Sequence, residues 1–572
     1  MLKHYFLSFL LLFTVACVYP PRDTLTQGQR WVDTTSGLVI GQRQSQGALT
    51  WFAIPYALPP VGELRWRAPQ PVVRSSEPFA AKEPGSSCAQ PGSKAGTILG
   101  QEDCLTLNVY APGKTSDALL PVMVWIHGGG NYAGTAGEYD GATLAVRENV
   151  VVVTINYRLG PFGWFHHPAM RQGEGGEPAT GQFALLDMIE ALKWVQSNIE
   201  GFHGDPTNVT IFGESAGAQN VYALVLAESA NGLFQKAIAQ SGGFWNMGLD
   251  QATNYRDEMP PGTRASAKEI VASLLVEAGR ATDSADARQI AEGMSNEETL
   301  AWMRELTTVE ILQPYQDQPD LGYDLPSVVL DGVMLPTQDH RQQIRSGAYN
   351  NVPMIIGGNR NEQKAWQAFD PDFVQWDGDY ATVIDPDRYT AMDKHYSDWW
   401  NVDAVDDLAD RLTAPVFAYR FDWDDAPKQP ADLSFIVGAA HGLEVPFVFG
   451  TFNVTGYAEL FTQENRLGRE VLSDAMMSYW AAFAYSGDPG RGTGDQLPEW
   501  LTWQRSHEKM IFDSGTLEMH PGLLTRSEVL ESIQADTSLS LADRCKVLRY
   551  SLMYPSFDLA RLRAIGCAAH LD

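Results

Sequence analysis

The chain has 572 residues, 44% of them hydrophobic and 19% charged, with 16 Trp, 21 Tyr and 24 Phe, a composition that supplies a large core and excludes a disordered or fibrous protein. The formal charge of −29 repels nucleic-acid phosphates and anionic headgroups, and no Lys/Arg cluster offsets it, which excludes nucleic acid as a partner. The acidity otherwise reads as a solvated surface.

The chain opens with MLKHYFLSFLLLFTVACVYPP: Lys3, then an apolar run over residues 5–18 that is short for a membrane span. This pattern predicts an export leader, residues 1–17. FTVAC resembles a lipobox, in which cleavage before Cys17 exposes it to lipidation and anchors the mature protein in the cell envelope. A leader cleaved nearby, without lipid, gives a secreted soluble protein instead. The other four of the five cysteines form two local pairs, Cys88 with Cys104 and Cys545 with Cys567. Two disulfides suit an exported protein, and closing a loop of about fifteen residues contributes roughly 3 kcal/mol in the entropy model. Four free buried thiols fit the same spacing.

No fixed-period repeat interrupts the alternation of strands and helices. PVMVWI (121–126) and VVVVTIN (150–156) are continuous apolar runs, as in strands buried on both faces of a parallel sheet. Residues 183–199 place Leu185, Leu186, Ile189, Leu192, Val195 and Ile199 at helical spacing, which predicts one apolar stripe packed on that sheet. NVTIF (208–212) returns as a strand and AQNVYALVLA (218–227) leaves as a helix; further strands are predicted at 236–240, 352–356 and 416–423. Between them Ser266 and Glu269 have the spacing of a capping box, opening a charged helical stretch over one end of the sheet. The expected fold class is α/β, with a main domain over 28–515 and a short helical appendix over 516–572 stapled by its own cysteines.

Within that pattern, GESAG (213–217) sits between a strand and a helix. G-x-S-x-G occurs by chance in roughly one chain in four of this glycine content. The strand-turn-helix context adds weight, because it exposes the Ser215 hydroxyl on a tight bend that Gly213 and Gly217 permit. A serine nucleophile needs a base and the base an orienting acid. His441, in GAAHGLEVPFVFG, and Glu362, in MIIGGNRNEQKAW just after a strand, are the candidates. The acidic run Asp370, Asp372, Asp377 and Asp379 fits no metal-binding loop, and neither metal nor organic cofactor is expected.

QEDCLTLNVYAP (101–112) and FHGDPTNVTIFGESAG (202–217) together resemble the two signatures of type-B carboxylesterases, the cholinesterase-like group of the α/β-hydrolase fold. The segments at 52–71, 151–164 and 478–489 share the likeness, which runs over about 28–515. One departure is His203, where the family has Gly or Arg. The resemblance implies a triad of Ser215, Glu362 and His441, and an oxyanion hole from the N–H groups of Gly129, Gly130 and Ala216, with HGGGN (127–131) as the glycine loop. It also implies that Glu214 and Ser241 lie beside the triad and support His441 or nearby water. The implied activity is hydrolysis of small carboxylic esters through an acyl-enzyme. An amidase or thioesterase would use the same parts. The interval between Cys88 and Cys104 contains no aromatic residue, which removes the main argument for choline esters. Phe244, Trp245, Trp366 and Phe369 are candidates for an acyl pocket or for the core.

Overall fold

A computed structural model describes residues 29–550 and 566–567, apart from 93, 95, 114–117, 172–174, 319–323, 338–339, 454–457 and 523. Cys17 and the expected leader lie outside the described residues.

Strands β1 (Gln29–Thr34), β2 (Gly37–Arg43), β3 (Ala48–Pro55) and β4 (Thr106–Pro112) form an antiparallel flank. The parallel centre comprises β5 (Leu120–Ile126), β6 (Val151–Ile155), β7 (Gly204–Glu214), β8 (Lys236–Gln240), β9 (Met354–Asn359), β10 (Val416–Phe421) and β11 (Glu508–Asp513). β12 (Thr516–Pro521) closes the far edge antiparallel to β11. Among the described residues the strand order is β1-β2-β3-β4-β6-β5-β7-β8-β9-β10-β11-β12, with a two-residue strand at Phe79–Ala80 on β2. This is the large α/β sheet that the alternating pattern predicted. Strands β5 and β6 are buried at every position, which is why they read as unbroken apolar runs. β12 belongs to the sheet although it lies beyond residue 515, so the sheet extends past the expected domain boundary; the appendix helices begin at Arg526.

Two local expectations are corrected. Helix α1 (Phe183–Asn198) is buried on every side over its first seven residues, 183–189, and only beyond them shows a strip to solvent, Glu190, Lys193, Gln196 and Ser197. That burial includes Asp187, which accepts from Arg158 Nε at 2.8 Å and Nη2 at 2.7 Å. Ser266 caps the helix Ala267–Glu277 without a capping box: its hydroxyl donates to the Asn254 carbonyl, and Glu269 accepts from the Arg256 N–H. Reciprocal boxes form instead at Ser295 with Glu298, Thr307 with Glu310 and Thr525 with Glu528. The departure at His203 falls where the backbone favours glycine. Its φ of 73° lies in the left-handed region, where glycine carries no steric cost.

Both cysteine pairs are disulfide-bonded, Cys88 to Cys104 and Cys545 to Cys567. The helices between β8 and β9 are gripped by Arg65, which binds Glu102 through two nitrogens (2.7 and 2.6 Å) and donates to the Leu306 carbonyl at 2.7 Å. Thr308 donates to Glu102 at 2.7 Å. On the other side of the sheet, α2 (Pro386–Asn401) lies between β9 and two appendix helices, α3 (Arg526–Ala535) and α4 (Leu541–Tyr550). Arg388 pairs with Asp543 at 2.7 Å and His395 with Asp536 at 2.8 Å. No helix among the described residues is long and apolar enough to cross a membrane.

Candidate active site

The predicted site residues come from the carboxyl ends of neighbouring parallel strands, the glycine loop after β5, Ser215 after β7, Ser241 after β8, Glu362 after β9, with His441 on the loop that follows β10. Ser215 is the hinge between β7 and the helix Ala216–Leu226, at φ 57° and ψ −124°, a strained conformation for a residue with a side chain. Its glycine neighbours are required by contact distances. A methyl at Gly213 would stand 2.6 Å from the Gly217 carbonyl carbon, and one at Gly217 only 2.1 Å from the Ile126 carbonyl oxygen. Gly242 is confined in the same way, its methyl falling 2.4 Å from the Ser215 carbonyl.

The glycine loop lies against this turn. A methyl at Gly128 would be 3.1 Å from Ser215 Cβ and 2.9 Å from Glu214 Oε2. Gly129 and Gly130 are exposed, with φ of 94° and 63°. Among the described residues the N–H groups of Gly129, Gly130 and Ala216 have no backbone acceptor. Asn131 and Asn220 exchange side-chain hydrogen bonds (2.7 and 3.3 Å), tying the loop to the helix after Ser215. His127 is fully buried against Tyr157, and burial, only partly offset by its bond to the Gly128 carbonyl, lowers its pKa to about 4; it is a neutral support.

His441 Nδ1 lies 2.6 Å from Glu362 Oε2, and its Nε2 lies 3.1 Å from Glu214 Oε1. Glu362 is completely buried and accepts the Asn359 N–H at 2.6 Å through its other oxygen. Burial opposes the charge on His441, but Glu214, Glu362 and Glu444 outweigh it and raise its pKa to about 9. Burial also raises Glu214, to about 8, against the pull of His441. The two groups therefore titrate as a pair.

Sequence reading missed Glu444 and Asn359, which join these groups. Glu444 is completely buried, accepting from Asn359 Nδ2 at 2.7 Å and from Ser241 Oγ at 3.3 Å. Ser241, expected to support His441 or nearby water, donates to Glu444. Asn359 also donates to the Ala440 carbonyl at 2.7 Å and so links the acid loop to the imidazole loop. The only cue in the sequence was position: Glu444 follows His441 by three residues and Asn359 precedes Glu362 by three.

The aromatic candidates separate. Trp366 and Trp400 each lie 5.0 Å from the His441 ring, centre to centre, and Trp245 packs on Trp400 at 4.5 Å. Phe244 is buried beside Tyr222. Phe369 is 70% exposed and stacks on Trp376. In the acidic run, Asp370 accepts the Asp372 N–H and closes a turn, while Asp372, Asp377 and Asp379 are exposed.

A strained serine turn after β7 and a carboxylate-bound imidazole on the same sheet agree with the comparison to known proteins. The model of the carboxylesterase family matches residues 28–398 and 384–520. The chain belongs to the carboxylesterase family. It is 34% identical to para-nitrobenzyl esterase of Bacillus subtilis over 529 residues, covering 88% of this chain and 98% of that protein. It is 32% identical to fumonisin B1 esterase of Sphingopyxis macrogoltabida, covering 84% and 86% of the two chains. A solved PNB esterase superposes with a TM-score of 0.66 at 31% identity, over 88% of this chain and 99% of that one. A carboxylesterase of Geobacillus stearothermophilus does so with 0.66 at 28%, over 86% and 98%. As a carboxylesterase the chain is a serine hydrolase of carboxylic esters on the α/β-hydrolase fold.

Proposed function

We propose that Ser215 is the nucleophile of this carboxylesterase, His441 its general base and Glu362 the acid that orients the imidazole. The observation that carries the assignment is the 2.6 Å contact of His441 Nδ1 with a buried Glu362, which leaves Nε2 toward the segment that bears Ser215. His441 takes the Ser215 proton as the oxygen attacks the ester carbonyl, and Glu362 stabilises the resulting imidazolium. The N–H groups of Gly129, Gly130 and Ala216 receive the oxyanion, each such donor being worth roughly 3 kcal/mol in the transition state. His441 then protonates the leaving alcohol, and water enters by the same route to release the acid.

Trp366 and Trp400 give the imidazole an apolar surround, which suits uncharged ester substrates. The relatives' names, para-nitrobenzyl esterase and fumonisin B1 esterase, concern unlike esters, so the shared feature is the acyl chemistry and not one alcohol. Export of the mature chain is part of the same proposal, supported by the two disulfides and the leader-like residues 1–17, with a lipid on Cys17 as anchor.

The test is labelling with a fluorophosphonate, with a p-nitrophenyl ester series run on wild type and Ser215→Ala. Labelling confined to Ser215, with ester turnover lost in the variant, is the expected result; labelling elsewhere overturns the assignment. Palmitate incorporation lost in Cys17→Ser is expected for the anchor, and wild type without label overturns it.

A further inference from the structure

Helix α2 carries Asp393, Ser397 and Asn401 at intervals of four residues, hence on one face, and all three are buried. That face meets the acid loop. Asp393 Oδ2 accepts from Asn361 Nδ2 at 2.7 Å and its Oδ1 from Ser397 Oγ at 2.9 Å. Ser397 Oγ accepts the Gln363 N–H at 3.2 Å, and Asn401 Nδ2 donates to the Asn359 carbonyl at 3.0 Å. The helix thus binds residues on both sides of Glu362.

Asn361 is the central link. Its N–H donates to the Ala439 carbonyl at 3.0 Å, and its Oδ1 accepts the Ala439 N–H at 3.3 Å, two residues before His441. The approach is close: a methyl at Gly438, whose φ is +55°, would stand 2.8 Å from Asn361 Oδ1 and 3.2 Å from Lys364 Nζ. The amide is held in this orientation from both ends: Arg360 Nε donates to its Oδ1 at 3.2 Å, and Asp393 accepts from its NH2 group behind. Lys364, itself buried and donating to the Phe435 carbonyl at 2.7 Å, and Arg360 provide the opposing charge. Burial raises the Asp393 carboxyl to about 6, against Lys364, Asn361, Ser397 and Arg360.

We propose that Asp393 is a positioning residue for ester hydrolysis: by fixing the Asn361 side chain it locks the loop of Glu362 to the loop of His441, so that the two move as one body. The inference rests on the assignment of Glu362 and His441 given above. A buried carboxylate costs several kcal/mol of desolvation, and an apolar residue at 393 would leave the Asn361 NH2 group without its acceptor.

The test is an exchange of the two polar groups. Asn361→Asp alone sets two carboxylates at hydrogen-bond distance and is expected to lower kcat by at least about 30-fold with KM changed less than about twofold, since a displacement of 1 Å costs about 10²-fold. Adding Asp393→Asn restores one donor and one acceptor, and is expected to return kcat to within about threefold of wild type. An unchanged kcat in Asn361→Asp, or no recovery in the double variant, overturns the inference. Should Asn361→Asp fail to fold, the double variant decides alone: near-normal kcat supports the inference and lost kcat ends it. Glu362→Gln measured alongside separates the two claims. If it stays active, the assignment of Glu362 falls; if it is inactive while the exchange series is flat, only the role of Asp393 falls.

Discussion

The turn at Ser215 and the junction between residues 359–363 and 438–444 both hold a reactive side chain still, by opposite means. At the turn the work is done by backbone: a strained serine between glycines whose missing side chains let three segments touch. At the junction it is done by buried polar side chains, with Asn359, Asn361, Glu444 and Asp393 bridging loops separated by about eighty residues of chain. The first device is local and tolerates no added atom. The second is long-range and tolerates exchange, provided that every donor keeps an acceptor.

That contrast can be broken most sharply at the nucleophile itself. Ser215→Ala is expected to lower kcat by roughly 10⁶-fold in p-nitrophenyl ester turnover, as loss of a serine nucleophile does in other hydrolases. Next comes Gly217→Ala, whose new methyl would lie 2.1 Å from the Ile126 carbonyl. Here kcat should fall at least about 10²-fold, with slower fluorophosphonate labelling, and no second-site polar change should repair it. At the junction, Asn359→Ala removes the donor that joins Glu444 to the Ala440 carbonyl; a loss of about 10-fold to 10²-fold in kcat, with thermal stability also reduced, is the expected outcome.

Glu214→Gln sharpens the comparison through pH, because Glu214 belongs to the turn and acts on the imidazole. The base works when neutral, so kcat/KM rises as pH rises through its pKa. Glu214 is the strongest of the charges that raise His441. Its neutralisation lowers that pKa and moves the acid limb of the profile to lower pH, by about one unit. The smallest effect is expected at the periphery: Cys545→Ser opens the disulfide of the appendix, and hydrogen exchange in α3 and α4 should quicken while kcat stays within about twofold.

The same contrast explains what could be read from the sequence. The turn was legible because its constraints are consecutive letters: an apolar strand, G-x-S-x-G, then a helix. Glu362 and His441 needed the family resemblance, since a loop glutamate and a loop histidine look alike whether or not they meet. Asn359, Asn361, Asp393 and Glu444 were not seen at all, because a polar residue that folding buries is written no differently from one that stays wet. The same blindness ran the stripe of α1 through its first two turns, which are buried on every side, and gave Ser266 a capping partner that the fold directs to Arg256.

Strands β8 and β9 pair in parallel from Ala237 with Met354 to Gln240 with Gly357, although the chain makes a whole helical excursion between them. The excursion is moored to the body by Arg65, at the carbonyl of Leu306, and by Thr308 at Glu102. Its moorings, Arg65 and Glu102, precede β4 in the chain, so the excursion ties the start of the fold to the strand pair that it interrupts.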